Sequence, residues 1–465
     1  MGQGIRLVGS RKVTGAGSGL VSHAGLVWLA GVADSLGLTE GFATATSRLS
    51  WRRHQPGRSL AQMVLALADG AGCMADLAVL SDQQALFGTV ASYPTAWRTF
   101  ARLGPVELRG IDSAIAGARS QAWPAGAGPS DDAVFIVDVD ATIVTTKADK
   151  QDAAPTYKRT FGHHPLLAMN AEAGEILAMT LRPGNAGSNT AVDHVELLDR
   201  VIDALPAEYR SGRPTGPHGG EGNEPVERAV LVRTDAAGAT HWFAEHCRQR
   251  TCAFSFGYAI TGAVRDALLL VDEWDWEPAI NTNGEDRTGA WVIELTDLID
   301  LAAWPTGTRL LVRRERPHPG AQLTLFDTVD GYRHQALITD QTGVPVALEL
   351  RHRQRACAEQ VIRDAKACGL ANLPSADLVN NQIWCQLVTA AVNLLAWAKR
   401  LTLTGPLRRA TPKTIRYRLL HVAARVRPRR LDLAANWPWT PTLLAALDRL
   451  HTLTTPPSVT PRAAA

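Results

Sequence analysis

The sequence of 465 residues has no run of eighteen uninterrupted apolar residues, the length that a membrane-spanning helix requires. Its first thirty residues also lack a basic segment followed by an apolar run and a cleavage site. Hydrophobic residues make up 46% of the chain and charged residues 20%, close to the average for globular proteins. We therefore expect a soluble, cytoplasmic protein with no membrane partner, long enough for two or three domains.

Closely spaced cysteines are missing as well. The chain has six cysteines and no Cys-x-x-Cys pair, which disfavours both a disulfide framework and a structural zinc site. We expect reduced, mostly buried thiols. The six are Cys73, Cys247, Cys252, Cys357, Cys368 and Cys385.

A strong overall charge is also absent, since the formal net charge is only +3. The arginines are instead concentrated locally. Such clusters can bind a phosphate backbone, although a solvated protein face produces the same pattern. The clustered residues are Arg313, Arg314, Arg316, Arg351, Arg353, Arg355, Arg416, Arg418, Arg425, Arg427, Arg429 and Arg430.

The apolar pattern changes along the chain and predicts its organisation. Apolar spacing of three to four residues predicts a helical N-terminal domain over 1–125. Three β-rich runs then predict an antiparallel meander, followed by the alternation helix, strand, helix, strand. A Gly/Pro-rich stretch at 211–225 predicts a surface loop. The predicted parts are a core over 130–262 and 350–402, a β-rich insertion over 263–349, and a basic C-terminal helix and tail over 403–465.

Two predicted strands end in aspartates. Asp138 and Asp140 are two apart on one strand, so both side chains point to the same face near its carboxyl end. Asp235 ends a second apolar strand in the same way. Taken alone, such acids are more often solvent-facing strand ends or turn residues than parts of an active site.

A third acid lies on a predicted helix. Arg355, Glu359, Ile362, Arg363 and Lys366 fall at spacings of three and four and therefore share one helical face. One acid among three bases is unusual for a plain amphipathic helix. A surface helix joined by Arg–Glu ion pairs would show the same pattern.

These residues carry a family resemblance. Arg355, Glu359 and Lys366, with three and six residues between them, match the Tyr-x2-Arg-x3-Glu-x6-Lys signature of one branch of bacterial insertion-sequence DDE transposases. His352 stands where that branch usually has tyrosine. The sequence thus resembles this family, in which Asp140 matches the first acid and Asp235 the second.

The resemblance implies a fold and a set of site residues. The fold is α/β, with a ribonuclease-H-like core, a β-rich insertion before the glutamate-bearing helix and a helical N-terminal domain. Asp140, Asp235 and Glu359 would be catalytic and hold two magnesium ions, for which manganese can substitute. Asp138 would support these metal ligands without binding the ions directly. Arg355, Lys366, Arg363 and His352 would bind DNA.

The implied function is cut-and-paste DNA transposition by metal-dependent cleavage and strand transfer. The partners would be the terminal inverted repeats and the target DNA, bound by a homodimer associated with the bacterial nucleoid. Two alternatives stay open: a nuclease of the same fold without strand transfer, and a silent or domesticated DNA-binding protein. The N-terminal domain and the basic tail are both candidates for reading the ends. The resemblance also implies base stacking on a tryptophan of the insertion, without choosing among Trp274, Trp276, Trp291 and Trp304.

Overall fold

A computed structural model describes most of the chain. The predicted surface loop at 211–225 and the last part of the tail, 455–465, lie outside the described residues. The described ranges are 18–129, 134–147, 149–187, 190–210, 230–317 and 331–454.

Helices dominate the first hundred described residues, as the apolar spacing predicted. Local signals set the ends of the helices. Pro56 opens the third helix, and the Gln55 side chain caps it by accepting a hydrogen bond from the Arg58 amide at 2.5 Å. Gly70 ends this helix with a φ of 111°. The helices of this layer are α1 (Leu26–Ser35), α2 (Leu38–Ala45), α3 (Pro56–Asp69), α4 (Tyr93–Phe100) and α5 (Pro105–Ala122), with single turns at Met74–Leu77, Ala78–Ser81 and Gln84–Phe87.

Nine of the described strands form one mixed sheet. They are β1 (Phe135–Ala141), β2 (Leu166–Asn170), β3 (Glu175–Thr180), β4 (Val230–Thr234), β5 (Cys252–Tyr258), β6 (Glu277–Ile280), β7 (Asp286–Glu294), β8 (Arg309–Glu315) and β9 (Arg333–Thr339). Their order is β6-β7-β8-β9-β5-β4-β1-β2-β3. The first three strands are antiparallel, which confirms the predicted meander, whereas β4 and β5 run parallel to β1.

The remaining helices connect or cover these strands. They are α6 (Ala191–Ala204), α7 (His241–Gln249), α8 (Gly262–Leu268), α9 (Pro345–Arg353), α10 (Ala358–Ala365), α11 (Leu378–Thr402) and α12 (Thr440–Thr454). The long helix α11 is buried almost all round, as its apolar sequence predicted. It contacts α3 and α5 of the helical layer and β3 of the sheet, so one hydrophobic core joins the layers.

A buried ion pair reinforces this junction. The Arg119 guanidinium on α5 donates to the Glu175 carboxylate on β3, and both side chains are fully buried. The same guanidinium donates to the backbone oxygens of Ile176 and Ala204 at 3.1 Å each. Trp123 donates to the other carboxylate oxygen of Glu175 at 2.9 Å. Neither charge lacks a partner, which is the condition for burying an ion pair.

The segment 263–349 is β-rich, as predicted, but its four strands continue the main sheet. Strand β9 pairs with β5, matching Leu337 with Gly257 and Ile338 with Phe256. Without β9, the outer edge of β5 would expose unpaired backbone groups. The predicted β-rich insertion is therefore joined to the edge of the sheet through β9.

The predicted basic C-terminal helix is found only in part. Pro412–Ile415 and Arg416–Leu420 form one helical segment, after which the chain forms a hairpin of Ala424–Arg427 and Arg430–Leu433, and Leu20–Val21 pairs with its first strand. Alternating small and long residues in "ARVR" suit a strand, and Pro428 cannot continue a helix. A further small sheet joins Val144–Thr145, Ala154–Pro155 and Phe161–His163.

Within the described ranges no single helix is long and apolar enough to span a membrane. One bent pair, Pro56–Asp69 with Met74–Ser81, meets that criterion by length and composition alone. All six cysteines are free thiols, and four of them are buried, as expected.

Candidate active site

Asp140 and Asp235 lie at the same end of neighbouring strands. Strand β1 runs parallel to β4, in a register that pairs Val139 with Thr234. Asp140 follows Val139 and Asp235 follows Thr234, so the two carboxylates lie side by side at the carboxyl ends of these strands. Asp140 is half-buried and Asp235 is exposed.

Glu359 on α10 joins the two aspartates. Burial raises the pKa of the Asp140 carboxyl, the guanidinium of Arg355 opposes this, and the negative charges of Asp235 and Glu359 raise the pKa further. Helix α10 also packs against β1, the strand that ends in Asp140. The structure thus places the three acids, which come from distant segments of the sequence, on two neighbouring strands and an adjacent helix.

One arginine faces this acidic group. Arg355 lies one helical turn before Glu359, and its Nη2 is 3.1 Å from a carboxylate oxygen of Asp140. The same nitrogen donates to the Val139 carbonyl oxygen at 3.1 Å. Its Nε is buried and has no hydrogen-bond partner among the described residues. Arg355 therefore keeps an unused donor beside the three acids.

Asp138 lies on the same strand but performs a different task. Both of its carboxylate oxygens accept hydrogen bonds from Arg233, at 2.7 and 2.8 Å, and its side chain is fully buried. Arg233 also donates to the backbone oxygen of Arg351 near the end of α9. Asp138 is therefore committed to an ion pair that ties β1 and β4 to the segment leading to Glu359.

Sequence reasoning missed Arg233, although the sequence held a signal for it. Each acid-ending strand carries a second charge two positions earlier: Asp138 before Asp140, and Arg233 before Asp235. The parallel register places these inner charges directly opposite each other. An arginine inside an apolar strand indicates a buried partner of opposite charge.

A tight turn fixes Asp235. Its side chain caps the turn that follows β4 by accepting a hydrogen bond from the Ala237 amide at 3.0 Å. A β-carbon on Gly238 would lie 2.6 Å from the Thr234 hydroxyl oxygen. The small residues after Asp235 thus allow the chain to fold back closely over the strand end.

The predicted DNA-binding residues occupy different environments. Arg363 is exposed on α10. Lys366 is half-buried, and burial together with the nearby Lys158 ammonium lowers its pKa. His352 Nδ1 lies 2.9 Å from the Ser255 hydroxyl, and burial lowers the pKa of His352 to about 3, so this imidazole is neutral near pH 7. His352 can offer a hydrogen bond but no positive charge.

The four tryptophans of 263–349 also differ. Trp276 and Trp304 are buried, Trp291 is half-buried, and Trp274 is 82% exposed. The Arg314 guanidinium lies 4.2 Å from the centre of the Trp276 ring and pairs with Glu273. Of the four, only Trp274 presents most of its side chain to solvent.

A second group with metal-ligand chemistry lies elsewhere. His23, Asp69 and His421 come from three distant segments, and their ligand atoms lie within 4.8 Å of one another. The carboxylate of Asp69 is nevertheless already used, since His23 and His421 bind one oxygen each, at 2.6 and 2.9 Å. The cluster acts in this structure as a polar tie between the N-terminal segment, the end of α3 and the C-terminal region.

Comparisons with known proteins identify the family. The family model described as transposase DDE domain group 1 matches residues 6–455. A comparison with curated proteins gives no match. Among solved structures, the chain is similar to piggyBac transposase in a synaptic complex with hairpin DNA, with a TM-score of 0.40 and 8% identity, covering 85% of this chain and 80% of that chain. Because the family model spans nearly the whole sequence, the chain belongs to the transposase DDE domain group 1 family.

Proposed function

We propose that this transposase excises an insertion sequence by metal-dependent cleavage of its DNA ends and joins those ends to target DNA. The observation that carries the proposal is the convergence of Asp140, Asp235 and Glu359. Asp140 and Asp235 end two neighbouring parallel strands, and the helix that bears Glu359 packs against the first of these strands. Such a group of like charges is costly unless cations bind to it.

The donor chemistry fits magnesium ions. Three carboxylates offer only oxygen ligands, which magnesium and manganese prefer. We assign Asp140, Asp235 and Glu359 as ligands of two magnesium ions, for which manganese can substitute. When bound, two such ions activate the attacking water or 3′-hydroxyl and stabilise the leaving oxygen.

The protein's own side chains position the acids and the DNA. The ion pair of Asp138 and Arg233 holds the two acid-bearing strands and the chain before Glu359 together. The Arg355 side chain is 18% exposed beside Asp140, and we assign its guanidinium to a phosphate oxygen at this position. We assign Lys366 and Arg363 to flanking phosphates as positive charges, and His352 to a neutral hydrogen-bonding role.

The sheet order supports a ribonuclease-H-like core. Strands β3-β2-β1-β4-β5 give the order third, second, first, fourth, fifth, with the first three antiparallel. The glutamate-bearing helix follows four further strands at the β5 edge, where the family resemblance implies an insertion. We also propose the division into an N-terminal domain, a core, an insertion and a C-terminal part. We further propose that the protein acts as a dimer on DNA of the bacterial nucleoid.

The proposal is tested with end-labelled DNA carrying the element's own terminal repeats, in magnesium or manganese. The wild-type protein is compared with Asp235→Asn and Glu359→Gln, which keep side-chain shape and remove charge. Exposed acids provide matched controls in Glu245→Gln and Asp297→Asn. We expect both site variants to bind DNA and to lose cleavage by at least about a hundredfold, as expected when a metal ligand is lost.

Each alternative has its own result in this assay. Cleavage without joined products would assign a nuclease without strand transfer. Binding without cleavage by the wild-type protein would assign a silent DNA-binding protein. If the site variants cleave as fast as the controls, the three acids are not the active site.

A further inference from the structure

We propose that a groove in the N-terminal helical layer binds the sugar-phosphate backbone of duplex DNA through Arg52, Arg53, Arg98 and Arg102. The inference rests on the proposed function and adds to it a specific surface for the DNA. These four arginines belong to none of the arginine clusters identified from the sequence.

The groove is large and has a basic lining. It has a volume of about 950 Å³ and lies between the loop before α3 and helix α4. None of its fourteen lining residues is acidic. Arg52 and Arg53 come from the loop, Arg98 lies on α4, and Arg102 lies just after that helix.

The positive charges in the groove are not neutralised. None of the ion pairs between described residues involves Arg52, Arg53, Arg98 or Arg102, and all four side chains are exposed. His54 lies in this positive environment: burial lowers its pKa, and the positive charges of Arg53 and Arg58 lower its pKa further. Uncompensated positive charge in a concave site attracts phosphates strongly.

The arginines of the sequence clusters behave differently. Arg313 pairs with Glu315 and Glu349, and Arg314 pairs with Glu273. In the C-terminal hairpin, Arg427 and Arg430 share the single carboxylate of Asp432. Much of the positive charge in those clusters is therefore balanced, which leaves the groove as a stronger candidate for phosphate binding.

Two groove arginines are held in place by uncharged groups. Arg102 donates to the Ser50 carbonyl oxygen at 3.0 Å and to the Ser50 hydroxyl at 3.3 Å, so it bridges the loop and the end of α4. Arg98 donates from Nε to the Pro94 carbonyl oxygen at 3.1 Å. These bonds orient the guanidinium groups and leave their charge available for a phosphate.

The groove has a fixed position relative to the catalytic layer. Asn380, in the first turn of α11, donates to the backbone oxygens of Phe100 and Leu103 at 3.1 and 3.2 Å. Asn372 donates to the Gly72 oxygen at 2.9 Å. Both asparagines follow the helix of Glu359 in the chain. These hydrogen bonds join the helical layer next to the groove to the segment that follows the helix of Glu359.

The test measures the affinity of the full-length protein for a fluorescent duplex across a series of salt concentrations. Each phosphate contact contributes about 0.9 to the slope of log affinity against log salt. We expect Arg52→Gln/Arg53→Gln and Arg98→Gln/Arg102→Gln each to reduce this slope by about 2. The lysine double variant, Arg98→Lys/Arg102→Lys, should keep the wild-type slope because it keeps the charge.

The controls separate this proposal from the proposed function. Arg48→Gln/Arg109→Gln removes two exposed arginines of the same helical layer that do not line the groove, and its slope should equal that of the wild type. Arg52 and Arg53 make none of the hydrogen bonds found here for Arg98 and Arg102, so that pair tests the groove even if the other variant fails to fold. If the wild type binds duplex and the groove variants keep its slope, or lose affinity only for single-stranded DNA, the groove assignment is wrong while the proposed function stands. If the wild type binds no DNA, both are wrong.

Discussion

Gly257 passes so close to Asp235 that a β-carbon at this position would lie 2.9 Å from the Ala236 amide nitrogen and 3.1 Å from the Asp235 carbonyl carbon. Strand β5 therefore supports the turn that aims Asp235 at the active site. All three atoms nearest to the added β-carbon belong to the backbone of Asp235 and Ala236, so no flexible side chain can move aside to make room for it. A methyl group here must displace the backbone that carries Asp235.

We expect Gly257→Ala to lower the rate of DNA-end cleavage by about tenfold to a hundredfold, the loss that follows when a catalytic group is misplaced by about 1 Å. DNA affinity should stay near the wild-type value, because the phosphate-binding residues lie elsewhere. Single-turnover cleavage and duplex affinity are the two measurements. Gly262→Ala is the matched control, since nothing lies within 4 Å of its added β-carbon. Equal cleavage rates for the two variants would contradict the role given to Gly257.

Removing one partner of the buried pair Arg119 and Glu175 should destabilise the protein strongly. We expect Glu175→Gln to lower the free energy of unfolding by about 3–5 kcal/mol, because it leaves a buried guanidinium uncompensated. Chemical denaturation measures the loss. Glu172→Gln is the control: Glu172 is exposed and lies 3.7 Å from Arg400, and such a surface pair contributes about 1 kcal/mol or less. Similar losses for both variants would show that the buried pair does not join the helical layer to the sheet.

The tie at Asp69 predicts a stability that depends on pH. Burial raises the pKa of Asp69, but hydrogen bonds from His23 and His421 outweigh it and hold the pKa below its usual value of 3.8. The stabilisation is therefore complete above pH 3.8 and is lost as the pH falls through the lower pKa of the folded protein. We expect Asp69→Asn to cost about 1–3 kcal/mol at pH 5 and less at pH 3.

The matched variant for this cluster is Asp34→Asn. Asp34 is an exposed acid on α1 that accepts a hydrogen bond from Thr39 at 2.6 Å. Chemical denaturation at both pH values should show little change for Asp34→Asn. A loss in Asp69→Asn that is the same at pH 5 and pH 3 would contradict the assignment of a charged Asp69 as the centre of the tie.

The sequence predicted the site where local patterns were sufficient. Apolar strands ending in Asp140 and Asp235, and the helical face around Glu359, are visible within a few residues of each acid. The structure confirmed the strands and the helix. The parallel register that makes Asp140 and Asp235 neighbours came from the structure and not from the sequence pattern.

Long-range pairing decided the features that the sequence did not reveal. The buried partner of Asp138 is Arg233, 95 residues away, and the basic groove combines arginines of two separate segments. The arginine run at 313–314 looked like a phosphate-binding cluster because two of its three acidic partners, Glu273 and Glu349, lie far along the chain. A local pattern shows a charge but not whether the fold neutralises it.

The C-terminal region shows the limit of composition. The segment 412–430 is rich in helix-compatible residues, which predicted one basic helix. The structure breaks it because Ala424–Arg427 pairs with Leu20–Val21 at the other end of the chain. Tertiary pairing overrides intrinsic propensity in such short segments.

The most direct test of the account is metal-specific rescue of Asp235→Cys in DNA-end cleavage. Magnesium accepts thiolate ligands poorly, whereas softer divalent ions such as manganese and cadmium accept them more readily. If Asp235 is a metal ligand, Asp235→Cys will be inactive in magnesium and regain part of its activity in the softer ion, while Asp235→Asn stays inactive in both. Full activity of Asp235→Cys in magnesium, or equal recovery of Asp235→Asn, would contradict the account of three acids that hold the catalytic metals.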